Sequence, residues 1–342
     1  MTSPIETDAL VIGAGPVGLF QAFQLGLQGI ACHIVDALPH VGGQCAELYA
    51  DKPLYDIPGI PVCTGAELIE RLQQQLAPFN PPCHLGQMVQ SVQPGAQGRW
   101  KVGTDAGLVW STPTLFIAAG VGAFVPRRLP IDGLAPLMNR QVWLASSPLP
   151  DLTGHHVLVT GDGDSALQTC LDAAERAASV TLMHRRQQFH AEPQRLDRFS
   201  ALLDEGRVRF VIGQPTGVNI EGDRLVALRH LDAQGQEVVL ACDQLVMALG
   251  LSPKLGPVSQ WGLEIERKQL RVDTETFATS APGIFAVGDI NTYPGKKKLI
   301  LCGFHEATLA AFGAAALLWP DENPLLQYTT TSTTLRRRLG LV

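Results

Sequence analysis

What this 342-residue chain lacks narrows the field first. Seven cysteines stand at 32, 45, 63, 83, 170, 242 and 302, and no two form Cys-x-x-Cys. That spacing excludes a local dithiol centre or a zinc knuckle, and the odd, scattered count predicts free thiols in a reducing compartment. No His, Cys, Asp or Glu cluster has metal-ligand spacing, and no Ser/His/Asp arrangement is visible. Positive charge is not in excess. The net charge is −6, which argues against whole-molecule attraction to nucleic acid. The most apolar windows, 9–27 and 307–319, are too short or too broken by Gly and Gln to predict a membrane span. Residues 1–8 carry acids and no basic region, unlike a secretory signal. The expectation is a cytoplasmic protein.

What is abundant is glycine, 34 residues, often in short clusters that suggest backbone lying close to a ligand. Apolar residues make up 46% and charged residues 17%, enough to fill two sizeable cores. Length agrees with about two domains.

An internal repeat carries the argument. Residues 8–12 read as a buried strand that enters Gly13-Ala-Gly15-Pro-Val-Gly18 and then a helical stretch. A second strand ends at Asp36. Later, residues 156–160 form another strand entering Gly161-Asp-Gly163-Asp-Ser165-Ala166 and a helix. The strand after it ends at His184-Arg185-Arg186. Asp36 follows Gly13 by 23 residues, and His184 follows Gly161 by 23. Each unit closes on a similar strand-plus-glycine, 115–120 and 245–250. One G-x-G-x-x-G is a weak signal. Two, each between strand and helix and each with a fitting second strand, predict two dinucleotide sites. Glycine makes the tight turn and leaves room for pyrophosphate, and the helix N-terminus offers free N–H groups.

The strand ends separate the ligands. Asp36 is an acceptor for ribose hydroxyls and repels a 2′-phosphate, which fits FAD or NAD. Arg185 and Arg186 carry fixed positive charge suited to that phosphate, which fits NADP, with His184 beside them. A third element, 282–289, ends in Gly288-Asp289, and an acid there can accept hydrogen bonds from a ribitol chain. The first unit is therefore interrupted. An FAD-binding domain is expected over 1–125 and 253–342, with an NADP-binding domain over 126–252. Pro- and Gly-rich stretches at 126–133 and 250–256 read as linkers.

Over almost its whole length the chain resembles the thioredoxin-reductase-like flavoproteins. The matching motifs are Gly42-Gly43-Gln44, Gly288-Asp289 and His184-Arg185-Arg186-x-x-Phe189. The resemblance implies an α/β fold with two Rossmann-like domains of three layers (ββα), like the pyridine nucleotide-disulfide oxidoreductases. One departure is informative. Residues 140–147, where thioredoxin reductases carry Cys-x-x-Cys, contain no cysteine. Glutathione-reductase relatives pair two cysteines five residues apart after the Gly-Gly turn. Cys45 matches the first, but Ala50 stands at the second. Neither relay can be assembled, and Cys45 reads as a packing residue near the flavin.

The remaining motifs resemble the thioredoxin-reductase-type ferredoxin/flavodoxin–NADP reductases. These are 48–59, Tyr293-Pro-Gly-Lys-Lys-Lys-Leu299-Ile300 with Gly303-Phe304-x-Glu306-Ala307, and the tail 328–332. The resemblance implies hydride transfer from NADPH to FAD, then single electrons to ferredoxin or flavodoxin. It implies Tyr49 stacked on one flavin face and Tyr328 on the other. Gln44, Val89, Phe124, Asp289 and Thr330 carry over as FAD contacts. Gly13, Gly15, Gly18 and Asp36 hold FAD; Gly161, Gly163, Ser165, His184, Arg185 and Arg186 hold NADP. Homodimerisation is a family expectation. No side-chain acid or base is needed for hydride transfer, so no catalytic residue is named. An acidic carrier needs a local basic face, and 296–298 with 336–338 are the candidates. A thiol-dependent disulfide reductase, a flavin oxidase or monooxygenase, and a nucleotide-responsive regulatory flavoprotein stay open at this point.

Overall fold

The computed structural model describes residues 3–321 and 328–341, with the backbone alone at 123–125 and 251–254. Contacts divide the chain into two compact units, 1–123 with 253–342, and 124–252. The chain crosses between them at strands Ala123–Pro126 and Leu251–Lys254, which pair as a two-stranded ribbon.

The first unit is built on a five-stranded parallel sheet. Its order is Ile284–Ala286, Thr114–Ile117, Ala9–Ile12, Cys32–Val35, Cys83–His84. Ala9–Ile12 is buried at every residue, so both its faces need cover. The period-2 alternation shows how they get it. Ala9 and Val11 face a core shared with helices Pro16–Leu27, Gly65–Leu76 and Ile300–Leu318. Leu10 and Ile12 face Val89, Val92, Val102 and Trp110 of a four-stranded sheet. The layers are therefore sheet, sheet, helix.

The second unit repeats this plan. Its parallel sheet runs Val142–Leu144, Gln244–Met247, His156–Thr160, Ser179–His184, Val208–Ile212. Val157 and Val159 pack toward helices Asp164–Ala173 and Pro193–Asp204. Leu158 packs with Leu225 and Leu228 of a three-stranded antiparallel sheet. In each unit the glycine turn follows the central strand, where the chain order reverses across the sheet. That position opens a ligand crevice in α/β folds.

Helix Ile300–Leu318 is long and apolar enough to cross a membrane by length and composition alone. Here it is a core helix: Ala307, Ala310, Ala311, Ala314 and Ala315 are buried in the first unit. A stripe of small residues lets its backbone approach closely.

Candidate functional site

The first glycine turn is shaped by hard contacts. Gly13 has φ +110°, and a Cβ there would lie 2.4 Å from the Ala118 carbonyl oxygen. A Cβ on Gly18 would lie 1.8 Å from the Gly13 oxygen. Neither position accepts a larger residue. Gly15 differs: its φ is −71°, and a Cβ would touch only the Gly43 Cα, at 3.9 Å. The protein's own packing does not demand glycine there. The open face is the space that a pyrophosphate needs, at the N-terminus of a helix started by Pro16 with no acid in its first turn.

Asp36, at the end of Cys32–Val35, turns back on this loop. Its Oδ2 accepts from the Ala14 N–H at 2.6 Å, and Oδ1 accepts from the Leu38 N–H at 2.8 Å. Burial pushes its carboxyl up, while those two bonds and His40 oppose the shift. Each oxygen keeps a lone pair for a further donor.

The second turn, Gly42-Gly43, packs backbone against backbone on the first. The Gly42 N–H donates to the Ala14 carbonyl at 2.9 Å, and a Cβ on Gly43 would lie 3.1 Å from the Gly15 Cα. Gln44 hydrogen-bonds the Asp289 carboxyl. Tyr49 hydrogen-bonds the Cys45 thiol and lies within electrostatic reach of Asp289. Residues 44, 49 and 289, distant in sequence, thus converge beside the first glycine turn. Burial raises Asp289, while Lys296, Lys298 and the Gln44 bond oppose the rise. Burial also raises Tyr49 to about 12.

Other candidates stand apart. The Val89 side chain is buried in the sheet-side core, so it offers a ligand only its backbone. The Phe124 side chain lies outside the described residues. Tyr328 is 68% exposed, and Thr330 is exposed. Among the described residues, neither makes a hydrogen bond or ring contact with Gln44, Tyr49 or Asp289. The Tyr328 carbonyl instead accepts from Thr331, just before helix Thr333–Arg338. That helix is anchored by Arg338, which donates to the Pro78 carbonyl and lies 5.1 Å over the Phe79 ring. Phe79 packs on Gly26 and Phe23, at the far end of helix Pro16–Leu27 from the glycine turn.

The second glycine helix repeats the sterics. Gly161 has φ +152°, and a Cβ would lie 2.2 Å from the Ala248 carbonyl oxygen. At Gly163 a Cβ would meet only the His190 oxygen, at 3.7 Å. Ser165 is exposed in the first helical turn, with its carbonyl accepting from Thr169. At the end of Ser179–His184, His184 Nδ1 lies 2.9 Å from the Arg186 carbonyl. That contact bends the chain and leaves Arg185 and Arg186 pointing to solvent. Two acids occupy this turn. Asp162 Oδ2 is 3.6 Å from His184 Nε2 and 3.4 Å from His190 Nδ1. Asp164 Oδ1 accepts from Arg195 and from the Glu192 N–H.

A family model described as pyridine nucleotide-disulphide oxidoreductase matches residues 7–308. The chain belongs to the pyridine nucleotide-disulphide oxidoreductase family. A relative from Paracidovorax citrulli, named ferredoxin–NADP reductase, is 57% identical over 98% of this chain and 97% of its own. One from Cupriavidus metallidurans, named ferredoxin–NADP reductase 2, is 49% identical over 99% and 92%. Among solved structures, the thioredoxin reductase of Lactococcus lactis matches with TM-score 0.63 and 23% identity over 92% of this chain and 99% of that one. The bacillithiol disulfide reductase of Staphylococcus aureus matches with TM-score 0.66 and 15% identity over 93% and 100%. These two likenesses are of fold.

For a member of this disulphide-named family, the thiols are poorly placed for exchange. All seven cysteines are free, and 32, 45, 63, 170 and 242 are buried. Burial lifts Cys45 to about 11, and Cys32 and Cys242 to about 12. A thiol held protonated is a poor nucleophile.

The lysine run 296–298 is not all surface. Lys296 is 6% exposed at its side chain and pairs with the fully buried Glu306. The expected basic face therefore loses Lys296; Lys297 and Lys298 are exposed. Sequence reading placed Glu306 and Asp162 in motifs without giving either a role, and missed His190 and Arg195. An acid in an apolar helix was the available signal for Glu306, and a place between two motif glycines that for Asp162; the other two gave none.

Proposed function

We propose that this chain is a ferredoxin–NADP reductase, passing electrons between NADPH and ferredoxin or flavodoxin through bound FAD. The observation that carries this reading is the pair of glycine turns. They share an open middle glycine and end in opposite charges, Asp36 in one and Arg185-Arg186 in the other. The full-length likeness to relatives bearing that enzyme name supports it.

FAD belongs to 1–125 with 253–342, and NADP to 126–252. Gly13, Gly15 and Gly18 cradle the flavin nucleotide's pyrophosphate, and Asp36 accepts from its adenosine ribose. Tyr49 and Tyr328 cover the two flavin faces, Asp289 accepts from the ribitol chain, and Gln44, Val89 through its backbone, Phe124 and Thr330 are further FAD contacts. Gly161, Gly163 and Ser165 receive the NADP pyrophosphate. His184, Arg185 and Arg186 take the 2′-phosphate, where two guanidinium groups supply charge-assisted bonds. When bound, FAD converts a two-electron hydride donor into single-electron steps. The protein's part is to hold and orient, and no side-chain acid or base is assigned.

An acidic carrier meets a reductase of net charge −6, so docking relies on local basic charge: Lys297 and Lys298, with Arg336 and Arg337. Cytoplasmic location, supported by the scattered free thiols, and a homodimer, supported by the resemblance, complete the reading. The test is NADPH oxidation by the purified protein with ferredoxin, flavodoxin and thioredoxin compared side by side. Turnover with either of the first two supports the assignment. Turnover with thioredoxin alone overturns it.

A further inference from the structure

A buried ion pair beside Gly288-Asp289 has no place in the contacts assigned so far. Glu306 is fully buried on helix Ile300–Leu318. Its Oε2 accepts from the Gly288 N–H at 2.7 Å and from Asn291 Nδ2 at 2.8 Å. Its Oε1 accepts from the Tyr293 hydroxyl at 2.9 Å and from Lys296 Nζ. Lys296 Nζ also donates to the Gly288 carbonyl at 2.8 Å. The acid thus holds the amide of Gly288 and the base holds its carbonyl.

The clamped residue sits at a crowded point. Gly288 has φ +81°, and a Cβ there would lie 3.4 Å from Val17 in the first turn of the glycine helix. A Cβ on Gly303 would lie 2.4 Å from the same valine and 3.4 Å from the Gly288 Cα. Three backbones therefore meet at Val17, one of them the N-terminal turn of the nucleotide helix. The next residue, Asp289, is hydrogen-bonded to Gln44 and feels Lys296 and Lys298 and, with opposite sign, Glu306.

A buried ion pair is a weak source of stability, because desolvation offsets most of the attraction. Packed apolar residues could brace this turn at least as well. What they could not do is hold both the Gly288 N–H and its carbonyl by charge-assisted hydrogen bonds. We propose that Lys296 and Glu306 are a positioning pair, which fixes the Gly288-Asp289 turn on the nucleotide helix and thereby sets FAD affinity, and that their mutual neutralisation keeps a one-sided buried charge from shifting the flavin's reduction potential. The inference rests on the FAD reading above. Reduction adds negative charge to the flavin, so a nearby unbalanced anion opposes it and an unbalanced cation favours it.

The test compares Lys296→Met, Glu306→Gln, the double variant and Lys296→Arg. It reads the FAD dissociation constant, the flavin midpoint potential and Tm. Lys296→Met should weaken FAD about tenfold or more, from the loss of charged hydrogen bonds, and lower the potential. Glu306→Gln should raise the potential. The double variant should return close to the wild-type potential with FAD still weakened, and Lys296→Arg should retain both. Shifts of opposite sign from the two halves are what a purely structural role does not produce. If a single variant fails to fold, the double variant, which buries no net charge, still decides through its FAD affinity. Lower Tm with unchanged potential and affinity in every folded variant overturns the proposal. A wild-type protein that binds no FAD instead overturns the reading beneath it, so the two failures are told apart.

Discussion

The two glycine turns are alike in steric detail and unlike in charge. In both, the first glycine is pinned against a carbonyl of the neighbouring strand's exit, Ala118 in one and Ala248 in the other. In both, the middle glycine faces open space. Yet the first helix has no acid in its first turn, and the carboxylate bonded to its glycine loop, Asp36, is tied to backbone N–H groups. The second turn carries Asp162 and Asp164, held by His184, His190 and Arg195. Repetition preserved what backbone geometry demands and left electrostatics free to diverge. On the proposed reading the first turn would receive its ligand through neutral dipoles, whereas the second already pairs its own acids with Arg195 and two imidazoles.

The sharpest way to break this comparison is to fill the glycines. Gly18→Ala and Gly161→Ala drive a methyl into a carbonyl at 1.8 Å and 2.2 Å, and each should cost on the order of 3 kcal/mol or more of stability. Gly15→Ala and Gly163→Ala should leave Tm nearly unchanged while removing FAD and NADPH affinity respectively. Chemical denaturation with equilibrium binding on the four variants checks the division. Equal losses of stability at the middle and outer positions would contradict it.

Next in size is the phosphate contact. Arg185→Ala and Arg186→Ala should each weaken NADPH by about 1.5–3 kcal/mol, with NADH nearly unaffected. A matched fall for both nucleotides would remove the 2′-phosphate role. Smaller still is the acid in the turn. Asp162→Gly removes a carboxylate from the anion site and should tighten NADPH by up to about 1 kcal/mol, less at high salt. No change at low salt would mean that this carboxylate does not act on the bound phosphate.

The smallest effect is in the sheet of the first unit. His33 and His84 stack, with ring nitrogens 3.0 Å apart, and Trp110 Nε1 donates to His33 Nδ1. An acceptor Nδ1 requires a neutral His33 ring. Both imidazoles are held below their ordinary value of 6.5, His33 by burial and then by His84, His84 by burial. The unfolded chain therefore takes up protons that the folded one resists. Their contribution is intact above the unfolded value of 6.5 and is lost as pH falls toward the lowered folded values. Tm scanned from about pH 7.5 to about pH 5 should fall, and less steeply in His84→Gln.

Much of the architecture was legible because both central strands are buried on two faces and run straight into glycine. Apolar runs, glycine pairs and charged strand ends repeat at one spacing, and that repeat predicted two dinucleotide sites, while the fold class and the family followed from the resemblance of motifs such as Gly42-Gly43-Gln44 and Gly288-Asp289. The convergence of Gln44, Tyr49 and Asp289 was readable only as motifs, since proximity across about 240 residues of chain is set by packing. Lys296 misled for a physical reason. A run of three lysines reads as solvated, and nothing local says that the first one turns inward to an acid ten residues on. Tyr328 stands exposed because the helix after it is anchored at Phe79 by Arg338, a contact made by tertiary structure alone.

The most direct measurement is a titration of flavin-stripped protein with FAD and NADPH, separately and together. Two sites of opposite character require one equivalent of each, no mutual displacement, loss of only FAD binding in Gly15→Ala, and weakening of only NADPH in Arg185→Ala. Competition between the two nucleotides for a single site would contradict the account.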